Sequence, residues 1–452
     1  MSEKSPIFAV DKKINTSADM ATKILINSNK VLTFAPVFYI DEVFQSQLAD
    51  LIDNFLGLRG STPAAFRYSE VVQALMNLYL CGGDYIEDLN TRFRQELLRP
   101  EKEARVPSSD TVGKAMKALA EANKVFTGEK SQKEYHFNFA TRLNELLIRA
   151  MLRTGQLKEG QEIDVDFDHV FEPNEKKDST FSYKMANGYF PGVLMMGNLV
   201  LGIVCCDGNN NVRFHQKDIL HHFFTLLETV AKVKIRRFRA DCGSYSEDVI
   251  TEVTEHCQNF YIRVSNCQSR YAQFEDYKDW APAKINDIDC EVASFDVEDI
   301  LPEKKLRLVV QRTEVPPKPN ETQIFEGPVY EYRAIVTDDW VPMATSVIRC
   351  YNQRGEWETT FDRLNNDFGW KHMPFSFMGQ NTAFMILTAM IMNFYFYMLG
   401  KLVKFFGGLT KTCRIKRFMF TFLCCPGKWV HRSRQWFLTL YTDKPYDKLV
   451  AV

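Results

Sequence analysis

A mixed α/β domain with a β-rich insertion is the fold class this sequence predicts, with a helical region before it and a basic tail behind it. Three patterns carry that expectation. Apolar residues recur at helical spacing as far as residue 155, and short apolar strands then alternate with amphipathic helices from residue 160. Residues 268 to 345 break that rhythm with acids, prolines and strand formers. The divisions implied are 1–155, 156–267, 268–345, 346–405 and 406–452.

In the first region, "SEVVQALMNLYLCGG" (69–83) and "YIEDLNTRFRQELL" (85–98) read as helices, and Ser108, Ser109 and Asp110 are cap candidates for a third over 107–123. Lys114 and Lys117 on that third helix suit a helix-turn-helix reader of DNA; a plain helical bundle has the same pattern. Further on, "EIDVDFDHVF" reads as a strand, 192–208 as two strands and 216–233 as an amphipathic helix. Residues 235–255 suggest a strand ending at Asp241, a turn at Gly243 and a helix, followed by a strand over 259–266. Strands at 305–313 and 329–338 flank the proline-rich "EVPPKPNE" (314–321). One helix is expected over 346–368. The apolar "AFMILTAMIMNFYFYML" (383–399) is slightly short for a membrane span and is read as a buried helix.

Hydrophobic residues make up 45% of the 452 positions, charged residues 25%, and the formal net charge is -1, as in an ordinary soluble globular protein. Local charge departs from that balance: from Lys401 onward basic residues recur against only Asp443 and Asp447, interleaved with aromatics such as Trp429, Trp436 and Phe437. Such a tail suits DNA backbone or a partner subunit. The eleven cysteines form no C-x-x-C pair and are read as buried thiols of a reducing cytosol. The polar N-terminus lacks the apolar stretch of a signal peptide, so a cytoplasmic location is expected. The histidines, among them His169, His215, His221, His222 and His372, show no H-x-x-x-H spacing, and none is assigned to metal.

The feature that demands an explanation is "IDVDFD". In a strand, Asp164, Asp166 and Asp168 share one face while Ile163, Val165 and Phe167 share the other. Three carboxylates in a row repel each other unless positive charge sits between them, and a hard divalent cation supplies it. Asp241 follows an apolar strand at the edge where ligands gather in open α/β sheets. Tyr351, Arg354 and Glu358 fall at i, i+3 and i+7, on one helical face, where Tyr and Arg can hold a phosphate beside an acid. Each has a plainer alternative: a solvated strand face, an ion-pair network, an ordinary helix pair.

Taken in order, "DVDFD", "FRADCG" and "YNQRGEWE" resemble the catalytic core of bacterial DDE transposases, over roughly residues 160–400. The branch it most resembles is the insertion-sequence one with a Tyr-x-x-Arg-x-x-x-Glu signature. The resemblance implies a ribonuclease-H-like sheet and a catalytic triad of Asp166 (Asp164 the close alternative), Asp241 and Glu358 that binds two Mg²⁺ ions, with Mn²⁺ as a substitute. It also implies endonuclease and strand-transfer activity on double-stranded DNA, at terminal inverted repeats and at target sites. Tyr351 and Arg354 match the positions that grip phosphate. Two positions depart from the family pattern: Asp168 stands where Thr is usual, and Asn365 where a basic residue is usual, with Lys371 as a substitute phosphate contact. Trp280, Trp340 and Trp357 are candidates for stacking on a flipped base, core packing being the plainer role. A homodimer working at the nucleoid is expected. The alternatives are a non-catalytic DNA-binding descendant and a membrane-anchored protein.

Overall fold

The computed structural model describes residues 31–449, apart from 61, 63, 64, 102, 103, 130, 266, 302 and 316–327, and apart from the side chains of 355–357. Most of the proline-rich stretch, and the Trp357 side chain, lie outside the described residues.

The N-terminal region forms helices α1 (Val37–Phe44), α2 (Asp50–Leu56), α3 (Tyr68–Leu80), α4 (Asp88–Thr91) and α5 (Ser109–Leu119), a hairpin of β1 (Lys124–Thr127) and β2 (Glu134–Asn138), and α6 (Thr141–Thr154). The Ser108 hydroxyl accepts from the Thr111 amide and starts α5, which presents Lys114 and Lys117 to solvent. The helix expected over 85–98 shrinks to the four residues of α4. Asn90 exchanges hydrogen bonds with Ser109 at 2.8 and 3.2 Å, so tertiary anchoring to α5 overrides the local periodicity. The hairpin β1–β2 was not expected; it sits at one edge of the main sheet.

The strands that follow are β3 (Glu162–His169), the short β4 (Glu172–Pro173), β5 (Thr180–Phe181) and β6 (Asn187–Tyr189), then β7 (Gly192–Met196) and β8 (Leu199–Cys206). Helix α7 (Gln216–Leu226), β9 (Lys234–Ala240), α8 (Glu247–His256) and β10 (Cys257–Arg263) come next. The region read as an insertion contributes α9 (Tyr271–Asp276), β11 (Ala281–Ile285), β12 (Ile288–Val297), β13 (Leu306–Glu314) and β14 (Tyr330–Thr337). These strands extend the same sheet, which runs β1-β2-β8-β7-β3-β9-β10-β14-β13-β12-β11. Strands β7 and β8 form an antiparallel meander with β3, whereas β9 and β10 run parallel to it.

Alternation along the central strands sends side chains into two cores. Ile163, Val165, Phe167, Leu194 and Leu201 pack under α7 and α8; Val193, Met195, Val200, Ile203 and Cys205 pack under α6 and the long C-terminal helix, which α3 and α5 cover in turn. Gly202 lets the Phe223 ring of α7 lie against β8, since an added Cβ would stand 2.5 Å from Phe223 Cε1.

The single helix expected over 346–368 is two, α10 (Ala344–Asn352) and α11 (Glu356–Asp367), separated by a tight turn at Gln353–Gly355. Glycine in that turn is a poor helix former, and the turn carries Arg354 down into the protein. Helix α12 (Met378–Leu402) passes for a membrane span by length and composition, yet 83% of its most apolar stretch is buried inside the fold. Its polar residues explain its place. Asn393 accepts from the Val200 amide at 3.1 Å and donates to the Val200 carbonyl at 2.8 Å, and the Thr388 hydroxyl takes the Trp370 indole N–H at 3.0 Å. The basic tail is folded: α13 (Ile415–Phe418) and the hairpin β15 (Gly427–Arg432)–β16 (Gln435–Leu440) bury Phe406, Phe418, Phe422 and Tyr446 against the N-terminal helices.

Replacing Asn393 by Leu strands both backbone groups of Val200 without partners. At about 1–3 kcal/mol for each of the two buried groups, a loss of roughly 2–6 kcal/mol is expected, read from the urea midpoint. An unchanged midpoint would show that this bond pair does not hold α12 on the sheet.

Candidate active site

The alternation of β3 is realised: Ile163, Val165 and Phe167 are buried under α7 and α8, and the three acids face the side covered by the α10–α11 segment. That face is not solvated, because Asp166 and Asp168 are only 4% and 7% exposed. Each acid meets its own cation. A register slip between Ile163 and Asp164 lets both Arg236 and Arg237 of β9 reach half-buried Asp164, at 2.8 and 3.6 Å. Asp166 is held bidentately by Arg239, at 2.6 and 2.8 Å. Asp168 Oδ2 lies 2.9 Å from Arg354 Nη2.

In the parallel β3–β9 register Phe167 pairs with Ala240, so the next position on each strand is an acid: Asp168 and Asp241. Their charges interact. Burial, reinforced by the neighbouring Asp241, pushes the Asp168 carboxyl up to about 7 against the pull of Arg354. Asp241 ends its strand as the cap of a tight turn, its carboxylate accepting from the Gly243 amide at 2.8 Å. Glycine is required there for close approach, since an added Cβ would stand 2.9 Å from Asp241 Oδ1 and 3.0 Å from Val212 Cγ2.

Arg239 ties these strands to the next element, because its Nη1 donates to the Cys350 carbonyl near the end of α10 at 2.8 Å. That contact stands one residue before Tyr351, which lies half-buried in the last turn of α10, hydrogen-bonded to Arg354 and within reach of the charges of Asp241 and Arg263. Burial raises the Tyr351 phenol above its ordinary value, so it remains a proton donor. Glu358 stands exposed in the first turn of α11. Among the described residues Asp168, Asp241 and Glu358 are not gathered within 4.8 Å of one another.

The acid assigned from sequence to the first position, Asp166, is therefore committed to Arg239, and its neighbour Asp168 is the one beside Asp241. Lys371 is exposed on a separate cleft of about 370 Å³ with Lys176 and His372, and that cleft is lined by none of these acids. Trp280 is a core residue, 8% exposed and donating to the Phe274 carbonyl; Trp340 is exposed. Sequence reading missed Arg239, although its parity with Asp241 in "RRFRAD" was available as a signal.

The donor set suits a hard divalent cation: two neighbouring carboxyl groups, one of them buried, whose mutual repulsion a cation would relieve. The transposase DDE domain model matches residues 157–394, which runs from just before the acidic strand into α12. The chain belongs to the transposase DDE domain family. No curated protein matches it. Membership in this transposase family makes transposition the activity class, DNA the partner and divalent metal ions the general cofactor.

The same domain also contains Glu172, which sequence reading passed over. It is 3% exposed on β4, and burial pushes its carboxyl up to about 7 despite a hydrogen bond from Asn365 of α11. Asn365, the departure from the basic residue usual in the family, thus has a local partner. A carboxyl with a raised folded value binds protons more tightly folded than unfolded, so its contribution is favourable below the unfolded value and lost as pH rises through about 7. Glu172→Gln is expected to raise the melting temperature at pH 8 and leave it nearly unchanged at pH 4. Equal shifts at both pH values would rule out a buried charge at Glu172.

Proposed function

We propose that this chain is a Mg²⁺-dependent transposase that cuts the ends of its element and joins them to target DNA by phosphoryl transfer, with Asp168, Asp241 and Glu358 as the metal-holding acids. The observation that carries this reading is the adjacency of Asp168 and Asp241 on neighbouring parallel strands, with Arg354 against the first of them. The order β8-β7-β3-β9-β10, an antiparallel meander followed by two parallel strands, supports a ribonuclease-H-like core for the domain. Asp164 and Asp166 act as structural members of the acid row, held by arginines of β9.

Mg²⁺, with Mn²⁺ as a substitute and two ions as the full complement, would activate water and later a DNA 3′-hydroxyl and stabilise the leaving 3′-oxygen. The chain's own residues do the rest. Asp168 and Asp241 hold their carboxylates at the strand ends. Arg354, which stands 2.9 Å from Asp168 Oδ2, would pair with the phosphate at the reacting end. Tyr351, still protonated, donates to the same phosphate. Exposed Lys114, Lys117 and Lys371 contact DNA backbone along the terminal inverted repeats and target. A homodimer at the nucleoid brings two ends together.

A second reading, a non-catalytic DNA-binding descendant, draws on Arg354 engaging Asp168 and on the three acids not being gathered among the described residues. One experiment separates the two: cleavage of a supercoiled plasmid carrying the element ends, with Mg²⁺ or EDTA. Loss of one acid is expected to remove about 4 kcal/mol of transition-state stabilisation, about 10³-fold in rate, for Asp168→Asn and for Asp241→Asn. Asp166→Asn leaves Arg239 buried without its counter-charge and is expected to cost about 3–5 kcal/mol of stability while the folded fraction still cuts. Binding without metal-dependent cutting by the wild type would establish the second reading. Normal cutting by Asp168→Asn beside a folded, inert Asp166→Asn would return the first-acid role to Asp166. Cutting at subsaturating Mg²⁺ should also rise with pH toward neutrality, as Asp168, whose carboxyl burial raises, gives up its proton to the ion.

A further inference from the structure

Among the described residues, one His/Asp/Glu/Cys group has its ligand atoms within 4.8 Å of one another, and it lies on the sheet face opposite the acids: His221 of α7 with Glu252 and His256 of α8. Glu252 and His256 are one helical turn apart, so both project from the same side of α8, and His221 comes across from α7. Glu252 is 2% exposed, and a single oxygen, Oε1, lies 2.8 Å from His221 Nδ1 and 3.1 Å from His256 Nε2. The other nitrogen of His256, Nδ1, lies 2.7 Å from Glu228 Oε1.

This arrangement has too few protons for a set of neutral rings. A neutral imidazole has one N–H, and Glu228 can take it from His256 Nδ1. The lone pair on Nε2 then points at a buried carboxylate oxygen, and either a second ring proton or a metal ion has to stand between those two acceptors. A carboxylate on the far nitrogen of a histidine is the partner that orients metal-bound imidazole and raises its basicity. Two imidazole nitrogens and one carboxylate oxygen, with solvent at the open side where the His221 side chain is 60% exposed, match a borderline divalent ion that keeps a water ligand.

We infer that His221, Glu252 and His256 form a zinc-type metal site, with Glu228 orienting His256, that staples α7 to α8. The staple fixes the helix entered directly from the Asp241 turn, on the opposite side of the sheet from the catalytic acids.

The test uses untagged full-length protein, stripped with chelator and titrated with Zn²⁺ against a competing indicator, and with Co²⁺ for its visible absorption. The expected result is about one Zn²⁺ per chain, a higher melting temperature with Zn²⁺, and Co²⁺ bands of the intensity of a four-coordinate site. His221→Ala, at an exposed side chain whose loss leaves the core intact, should abolish the bands with an unchanged metal-free circular dichroism spectrum. Glu228→Gln should weaken binding about tenfold. Asp241→Ala should bind Zn²⁺ as the wild type does, which keeps this site apart from the catalytic one. Zn²⁺ binding that is unchanged in His221→Ala, or a wild type that neither binds nor is stabilised, overturns the site and leaves a charged His–Glu hydrogen-bond cluster in its place.

Discussion

The pairing of two oppositely charged strands is the constraint on which the rest of this structure depends. Three carboxylates project from one face of β3, and β9, parallel beside it, presents Arg236 and Arg237 against Asp164 and Arg239 against Asp166. A bidentate guanidinium–carboxylate contact as buried as Arg239–Asp166 is costly to desolvate and more costly to break, so it acts as a register lock more than as a source of stability. A slip of one residue would set acids against apolar side chains along the whole strand.

The lock leaves a deliberate imbalance at its end. Arginine follows the acid row up to Asp166, but opposite Asp168 the chain supplies Asp241, another acid. The compensating charge has to come from outside the sheet, and Arg354 provides it from the turn between α10 and α11. Arg239 joins the two layers, since it grips Asp166 with one edge and the Cys350 carbonyl with another atom of the same guanidinium. An unbalanced pair of carboxyls at the ends of two parallel strands, covered by a removable cation, is a setting in which a divalent ion competes on favourable terms.

Packing on the other layer follows similar logic at lower charge. Helix α12 is apolar on nearly every side because it is surrounded, by α3, α5 and α6 and by β8 of the sheet, and it is registered by the few polar groups it carries, Asn393 above all. The basic tail closes over that assembly with Phe406, Phe418, Phe422 and Tyr446 inward, leaving Arg432, Arg434, Trp436 and Phe437 outside.

Period-2 alternation in "IDVDFD", the apolar run of α12 and the strand-turn-helix pattern around Asp241 were legible in the chain because each is set by backbone geometry over a few residues. The acid row, and with it the family resemblance, belong to that class. Which member of the row faces Asp241 does not. That depends on the register between strands some 70 residues apart in sequence, and on a slip after Ile163 that no local pattern announces. The same holds for the break before α11, for the shortening of α4 by Asn90 and Ser109, and for the meeting of His221 with Glu252 and His256, which carry no shared spacing in sequence. Local periodicity sets which side of an element a residue occupies; non-local packing sets what stands opposite it, and the chemistry of this site lies in the second.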